Sequence, residues 1–261
     1  MAERTEGRHV QSVVKALALL DCLAQQRRPM PLGELAQAVD LPKATAHGLL
    51  ASLRLGGAVE QSGVDGKYRL GVRLFEYGCA VSASWDVVSR SREQMNHIAI
   101  QTGSNVILSS LQEQEAIVLE MVEATGAFRV VSEKGSRVPL HCTSQGKLLL
   151  AYLPAGEQRR LLGALDFTAY TPHTISDRER LELELEHIRR QGYAVEDGEY
   201  RVGLRSVAAP IFSVEGQVRW AIGIVGMFRR VSSEEFQQAR ELVCRAAERI
   251  SYDMGYRRET Q

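Results

Sequence analysis

Apolar residues near the start of the chain recur at intervals of four, three and four positions, at Val13, Leu17, Leu20 and Ala24. This spacing predicts a helix over residues 10–26 with these side chains on its buried face. The following Arg27-Arg28-Pro29-Met30-Pro31 should end that helix, because proline cannot donate to the hydrogen-bond ladder. Residues 1–9 are polar and are interpreted as a disordered tail.

A short helix, a break and another helix are predicted next. Residues 32–39 suit the short helix, and Pro42 suits the first turn of the following one. On that following helix the apolar residues at positions i, i+3, i+4 and i+7 should face the core: Ala46, Leu49, Leu50 and Leu53. Its opposite side then points outward. This arrangement is typical of a helix-turn-helix, whose second helix lies in the major groove of DNA.

Two short alternating runs, residues 58–61 and 67–70, flank a turn containing glycine and aspartate. They predict a β-hairpin. Three helices followed by a hairpin make a winged helix-turn-helix DNA-binding domain over residues 10–71. On the hairpin, or wing, Lys67 and Arg69 would face phosphates or the adjacent groove.

The rest of the chain mixes helical and β-like segments without regular alternation, which predicts an α+β domain on an antiparallel sheet. We expect a linker helix over residues 72–85 and an effector-binding and oligomerisation domain over residues 86–261. The β-like runs are residues 105–111, 116–122, 128–132, 193–197, 206–212 and 218–225. Further helices are predicted at residues 86–102, 144–153, 156–165, 176–191 (opened by a capping box from Ser176 to Glu179) and 232–255.

Composition narrows the class of protein. The 261 residues carry no net charge, and residues 1–71 hold nine Lys or Arg against seven Asp or Glu, a charge of +2. DNA binding would therefore depend on a few placed contacts. No apolar run approaches a membrane span and no secretion signal is apparent, so we expect a cytoplasmic protein without a membrane partner. Four dispersed cysteines suggest neither disulfides nor a metal site, and no cofactor is expected.

Five motifs occur in a fixed order over residues 10–254. They are Ser12-Val13-Val14-Lys15-Ala16-Leu17, Leu35-Ala36 with Leu41-Pro42-Lys43, Gly66-Lys67-Tyr68-Arg69-Leu70-Gly71, Leu140-His141-Cys142-Thr143-Ser144-Gln145-Gly146-Lys147, and Val207-Ala208-Ala209-Pro210-Ile211. In this order and at these separations they resemble the IclR family of bacterial transcription regulators. The resemblance implies a winged helix, a linker helix and a GAF-like C-terminal domain that binds a small organic effector. It also implies a homodimer or a dimer of dimers.

The proline-led helix supplies the predicted DNA contacts. Lys43, Thr45 and His47 lie on its first turn and a half and should meet phosphates or base edges of a double-stranded operator. Arg54 should reach a phosphate. The alternative interpretation, which the sequence supports equally, is that Arg54 is a solvated charge near the end of the helix.

Two positions of the same face depart from the family pattern. The resemblance implies a serine at Ala44 and an arginine at Gly48. Because both departures remove hydrogen-bond donors, we expect more reliance on the wing and on DNA shape.

A loop that enters a helix is the first candidate for the effector site. The N–H groups of Thr143, Ser144, Gln145 and Gly146 can be directed at a carboxylate there. Glu196 and Asp197 close a strand and could accept hydrogen bonds from ligand hydroxyls.

The resemblance adds three more positions to this site. Relatives usually carry cysteine where this chain has Ser206, and relatives that bind small oxo-acids carry serines where it has Gly223 and Val225. Loss of two hydroxyls makes the wall roomier and more apolar. The hypothesis is a bulkier, partly hydrophobic organic acid, such as an aromatic one, as effector.

Two alternatives remain. The second domain could be an enzyme, with His141-Cys142 inviting a cysteine nucleophile, but adjacent residues on an extended segment point in opposite directions. No catalytic residue is therefore predicted. Alternatively, the second domain only oligomerises, in which case side chains would fill the space beneath residues 143–146.

Overall fold

The computed structural model describes residues 9–83, 86–123 and 133–257. The chain divides into two compact units, Met1–Ser84 and Trp85–Gln261. Within the described ranges, no helix is long and apolar enough to cross a membrane.

The first unit is a small helical bundle with a hairpin. Met30 and Tyr68 exchange two backbone hydrogen bonds, of 2.9 and 2.8 Å, which tie the segment after the first helix to the hairpin. A winged helix-turn-helix is thus confirmed. The elements are α1 (Gln11–Gln26), α2 (Leu32–Ala38), α3 (Lys43–Leu55), β1 (Val59–Gln61), β2 (Tyr68–Leu70) and α4 (Val72–Ala83).

The predicted buried face of α1 is wrong. Leu19 and Leu23 are buried, whereas Val13 and Leu17 are 56% and 54% exposed. Both sets of residues obey helical spacing, and Leu20 borders both. Spacing alone could not decide which of two adjacent apolar stripes packs against the rest of the unit.

Among its described residues, the second unit contains a six-stranded sheet with helices on both faces. Neighbouring strands are antiparallel, in the order β5-β4-β3-β8-β7-β6, which confirms the predicted α+β class. Helices α5 and α9 pack on one face, while α6 and α8 contribute to a second core on the other. The elements are α5 (Asp86–Thr102), β3 (Asn105–Gln112), β4 (Glu115–Val122), β5 (Arg137–Pro139), α6 (Ser144–Ala151), α7 (Ala155–Leu162), α8 (Arg178–Gln191), β6 (Ala194–Asp197), β7 (Arg205–Phe212), β8 (Val218–Gly226) and α9 (Glu234–Asp253).

Capping explains where these helices begin. Thr143 caps α6 by accepting from the Gly146 N–H, and Ser233 caps α9. The predicted capping box at Ser176 is wrong by one residue, because Asp177 caps α8 and accepts from the Arg180 N–H. Strand β5 was not predicted, and the predicted strand at residues 128–132 lies outside the described residues.

Near one edge of the sheet, strand β7 is only partly covered by its neighbour β6. Strand β6 pairs with residues 205–208 of β7, and in the described chain no strand covers residues 209–212 on that side. There Pro210 has no N–H, and the Phe212 N–H donates to Ser251 Oγ of α9 at 2.9 Å.

Candidate DNA-binding surface and effector cavity

The outward face of α3 is accessible. Ala46 and Leu50 are buried beneath the helix, while the five predicted contact residues of its first half are exposed: Lys43, Ala44, Thr45, His47 and Gly48. Pro42 precedes the helix, and no described side chain caps it. The first-turn N–H groups therefore remain available to an anion such as a DNA phosphate.

The other predicted DNA contacts are engaged within the unit. Arg54 Nη1 donates to Gln61 Oε1 at 2.6 Å, and Lys67 pairs with Asp65 at 3.0 Å. Arg69 pairs with Glu60 at 2.7 Å. Sequence reasoning missed these partners. Because exposed pairs of this kind contribute about 0–1 kcal/mol, a phosphate can compete for each cation.

A cavity of about 240 Å³ lies in the second unit where the start of α6 meets the sheet. Six residues predicted for the effector site line it: Thr143, Ser144, Gln145, Glu196, Ser206 and Val225. The other lining residues are Ile107, Ser109, Val118, Ser136, Arg137, Val138, Tyr200, Arg201, Leu204 and Ile224. The space beneath residues 143–146 is thus not filled by side chains, which disfavours a domain that only oligomerises.

A buried hydrogen-bond chain forms one wall of the cavity. Ser206 Oγ lies 2.7 Å from Glu196 Oε2 and 2.8 Å from Ser144 Oγ, and the Tyr200 N–H donates to Glu196 Oε1 at 3.2 Å. Burial raises the pKa of Glu196 to about 7, although the hydrogen bonds from Ser206 and the Tyr200 N–H act in the opposite sense. A protonated Glu196 can donate to Ser206 Oγ, which then donates to Ser144.

Two cationic side chains also line the cavity. Arg137 on β5 is 46% exposed and lies 3.4 Å from Glu115, and the Arg201 guanidinium lies 5.6 Å from the centre of the Tyr200 ring. Sequence reasoning missed both residues, since β5 was not predicted and Arg201 follows the Glu196 strand in a loop. When Glu196 is neutral, these arginines make the lining attractive to an anion.

Three predicted effector residues do not line the cavity. The Gly146 N–H is taken by Thr143 Oγ1 at 3.0 Å, and a Cβ on Gly146 would lie 2.5 Å from Leu140 Cα. Asp197 forms an ion pair with Arg205 at 2.7 Å. Gly223 lies behind Gln145, where a Cβ would come within 2.4 Å of Val207 O.

The cysteine beside this site is poorly suited to nucleophilic chemistry. Cys142 is buried, and burial raises the pKa of its thiol to about 12. The neighbouring His141 places its Nε2 3.0 Å from Thr168 O. Among the described residues no group of three His, Cys, Asp or Glu side chains could hold a metal ion.

A winged helix-turn-helix and a separate unit with a ligand-sized cavity define a class, the two-domain transcriptional regulators. Matches to models of protein families support this class. Residues 12–63 match the IclR helix-turn-helix domain, and residues 79–252 match the C-terminal domain of bacterial transcriptional regulator IclR. The chain belongs to the IclR family of DNA-binding transcriptional regulators.

Individual relatives match over nearly the full chain. HTH-type transcriptional regulator XynR of Escherichia coli is 34% identical over 95% of this chain and 98% of its own length. Regulator KdgR of Dickeya chrysanthemi is 32% identical over 95% of this chain and 81% of its own. The crystal structure of an IclR homologue from Microbacterium hydrocarbonoxydans complexed with 4-hydroxybenzoate has a TM-score of 0.83 and 25% identity, and covers 93% of this chain and 98% of that one.

Proposed function

We propose that this regulator binds a small organic acid in the cavity of its second unit, and that the bound acid alters its grip on a double-stranded DNA operator. The observation that carries the proposal is the cavity itself, which combines two arginines with an apolar lining that includes Ile107 and Ile224. An anion with an apolar body fits such a lining. A regulator that binds DNA in this way is expected to act in the cytoplasm.

Helix α3 is the proposed reading element. Thr45 and His47 are exposed on its first half, and Lys43 makes no ion pair with a described residue. The uncapped first turn adds N–H groups that suit phosphate. Lys67 and Arg69 of the wing would exchange their exposed carboxylate partners for phosphates.

The effector is proposed to be larger than a two- or three-carbon oxo-acid. Val225 presents an apolar side chain to the cavity at a position where the resemblance implies a serine. The IclR homologue crystallised with 4-hydroxybenzoate supports an aromatic acid as one example.

Assembly as a homodimer or a dimer of dimers is proposed, with the first unit adding an interface to the oligomerisation domain expected at residues 86–261. Helices α1 and α4 both carry exposed apolar side chains. Val13 and Leu17 are 56% and 54% exposed, and Val72 and Phe75 are 63% and 72% exposed. A second copy of the chain is the proposed partner that covers them. Two copies would present two copies of α3 to two operator half-sites.

A gel-shift assay on the DNA upstream of the protein's own gene tests operator binding. The logarithm of affinity should fall linearly with the logarithm of salt concentration, and the double variant Thr45→Ala/His47→Ala should bind more weakly. His187→Ala, which removes an exposed histidine from α8, is the matched control and should bind normally. A flat salt response, or normal binding by the double variant, would contradict the proposal.

A thermal-shift panel of acids tests the effector site. A ligand at about a hundred times its dissociation constant adds about 2.7 kcal/mol of stability, which gives a clear shift. Aromatic or other bulky acids, with 4-hydroxybenzoate as the first probe, should stabilise the protein. They should also change the gel shift. A response confined to two- and three-carbon acids would refute the proposed size class.

A further inference from the structure

Two buried polar atoms beside the cavity lack a partner among the described residues: Gln145 Oε1 and Ser109 Oγ. We infer that the effector carries a hydrogen-bond donor, such as a hydroxyl group, in addition to its acid group, and that Gln145 and Ser109 recognise this donor. The inference rests on the proposed function, since it concerns the same cavity. It specifies the chemical class of the ligand.

The orientation of the Gln145 amide is determined by its surroundings. Its Nε2 lies 3.2 Å from Ile107 O, and a carbonyl oxygen can only accept. The nitrogen must therefore face Ile107, which leaves Oε1 as the atom without a partner. An amide oxygen accepts hydrogen bonds and cannot donate them. A carboxylate, which also only accepts, cannot satisfy it, whereas a hydroxyl or amino group can.

Ser109 is the second unsatisfied group of the same cavity. It lies on β3, two residues beyond Ile107, and its side chain is fully buried. Its hydroxyl can both donate and accept, so it can bind the oxygen of a ligand hydroxyl whose proton goes to Gln145. A buried polar atom without a partner is unfavourable, and a ligand hydroxyl that bonds to it relieves that cost.

Gly223 explains why Gln145 can occupy this position. A Cβ at residue 223 would lie 2.8 Å from Gln145 Nε2 and 2.4 Å from Val207 O. Any larger residue would therefore push the Gln145 amide away from Ile107 O. The serine that the family resemblance implies at this position could not coexist with this amide orientation. Gly223 thus acts through Gln145 and not by lining the cavity.

The neighbouring Ser110 provides a matched control. It is also buried, at 7% exposure, and its hydroxyl also lacks a partner in the described part of the chain. However, it does not line the cavity. A change at Ser110 removes the same chemical group from the same strand without touching the proposed ligand.

The test is isothermal titration of the full-length protein with pairs of acids that differ by one hydroxyl: 4-hydroxybenzoate against benzoate, and 3-hydroxybutyrate against butyrate. In at least one pair the hydroxylated acid should bind about tenfold more tightly or better, as expected when its absence leaves buried groups unsatisfied. Ser109→Ala should reduce this preference to about threefold or less, and Ser110→Ala should leave it unchanged.

Each other outcome overturns a distinct statement. If the acids without the hydroxyl bind as tightly as their hydroxylated partners, the effector function stands, and the inference that Gln145 and Ser109 recognise a ligand donor is wrong. If the preference survives in Ser109→Ala, or is lost equally in Ser110→Ala, the assignment to Ser109 is wrong. If no acid of the panel binds the wild-type protein, the proposed effector function falls, and this inference falls with it.

Discussion

Replacement of Glu196 by glutamine should make the protein's stability less dependent on pH. Glu196 is 3% exposed, and both of its carboxyl oxygens lie at hydrogen-bonding distance from Ser206 Oγ or the Tyr200 N–H. Burial raises its pKa from 4.5 to about 7. Glutamine resembles the protonated acid in shape, and its amide nitrogen can donate to Ser206 Oγ as the protonated carboxyl does.

The sign and size of the effect follow from linkage between protonation and folding. At a pH well below 4.5 the carboxyl is protonated in both states, so it contributes no pH dependence there. As pH rises toward 7 the unfolded state ionises first, and the wild-type protein loses stability until the folded-state group ionises as well. Between roughly pH 5.5 and pH 8 this loss amounts to about 2 kcal/mol. The Glu196→Gln variant has no ionisable group at this position, so it does not undergo this loss of stability.

Urea denaturation at fixed protein concentration measures this difference. The free energy of unfolding of Glu196→Gln, minus that of wild type, should increase by about 2 kcal/mol from pH 5.5 to pH 8. Glu186→Gln, at an exposed position of α8, should differ little from wild type at any pH. A difference for Glu196→Gln that stays constant over this range would refute the reasoning, because it would mean that the buried carboxyl titrates alike in both states.

Substitutions at three further positions probe other parts of the molecule. Gly48→Ala should raise the free energy of unfolding by about 1 kcal/mol in urea denaturation, since a Cβ there meets nothing within 4 Å, and Gly48→Arg should change operator affinity or base preference in a gel shift. Lys147→Met should lower the free energy of unfolding by about 3–5 kcal/mol, because it leaves the carboxylate of Glu199 without the buried ammonium that lies 2.5 Å away. The double variant Lys147→Met/Glu199→Gln removes this unpaired charge and should recover much of the loss. Gly223→Ser should lower the melting temperature, since its Cβ would meet Val207 O, and an unchanged value in a thermal scan would contradict that packing.

Local signals predicted the elements of the first unit well. Pro42 precedes α3, and the apolar spacing on that helix selected Ala46 and Leu50, both of which are buried. The same rule failed on α1, because Leu19 and Val13 belong to two stripes that are equally regular. Which stripe is covered depends on tertiary packing, and periodicity contains no information about it.

The candidate site was predictable in part. Residues 143–145 carry a local signal, a loop that enters a capped helix, and all three line the cavity. Ser109 carries no such signal, because β3 and α6 are separate in sequence and contribute to the same cavity only in the folded structure. Arg137 lies on a three-residue strand too short to show a pattern. Neither the raised pKa of Glu196 nor the need of Gln145 for a donor is visible without the packed structure.

The uncovered end of β7 is poorly suited to pairing with another strand. An open strand edge with alternating N–H and C=O groups can recruit another strand and extend the sheet into an aggregate. Here Pro210 has no N–H, and Ser251 accepts the N–H of Phe212. A foreign strand would therefore find no free N–H group to pair with along residues 209–212. This part of the edge therefore does not offer the N–H donors that a strand from another chain needs.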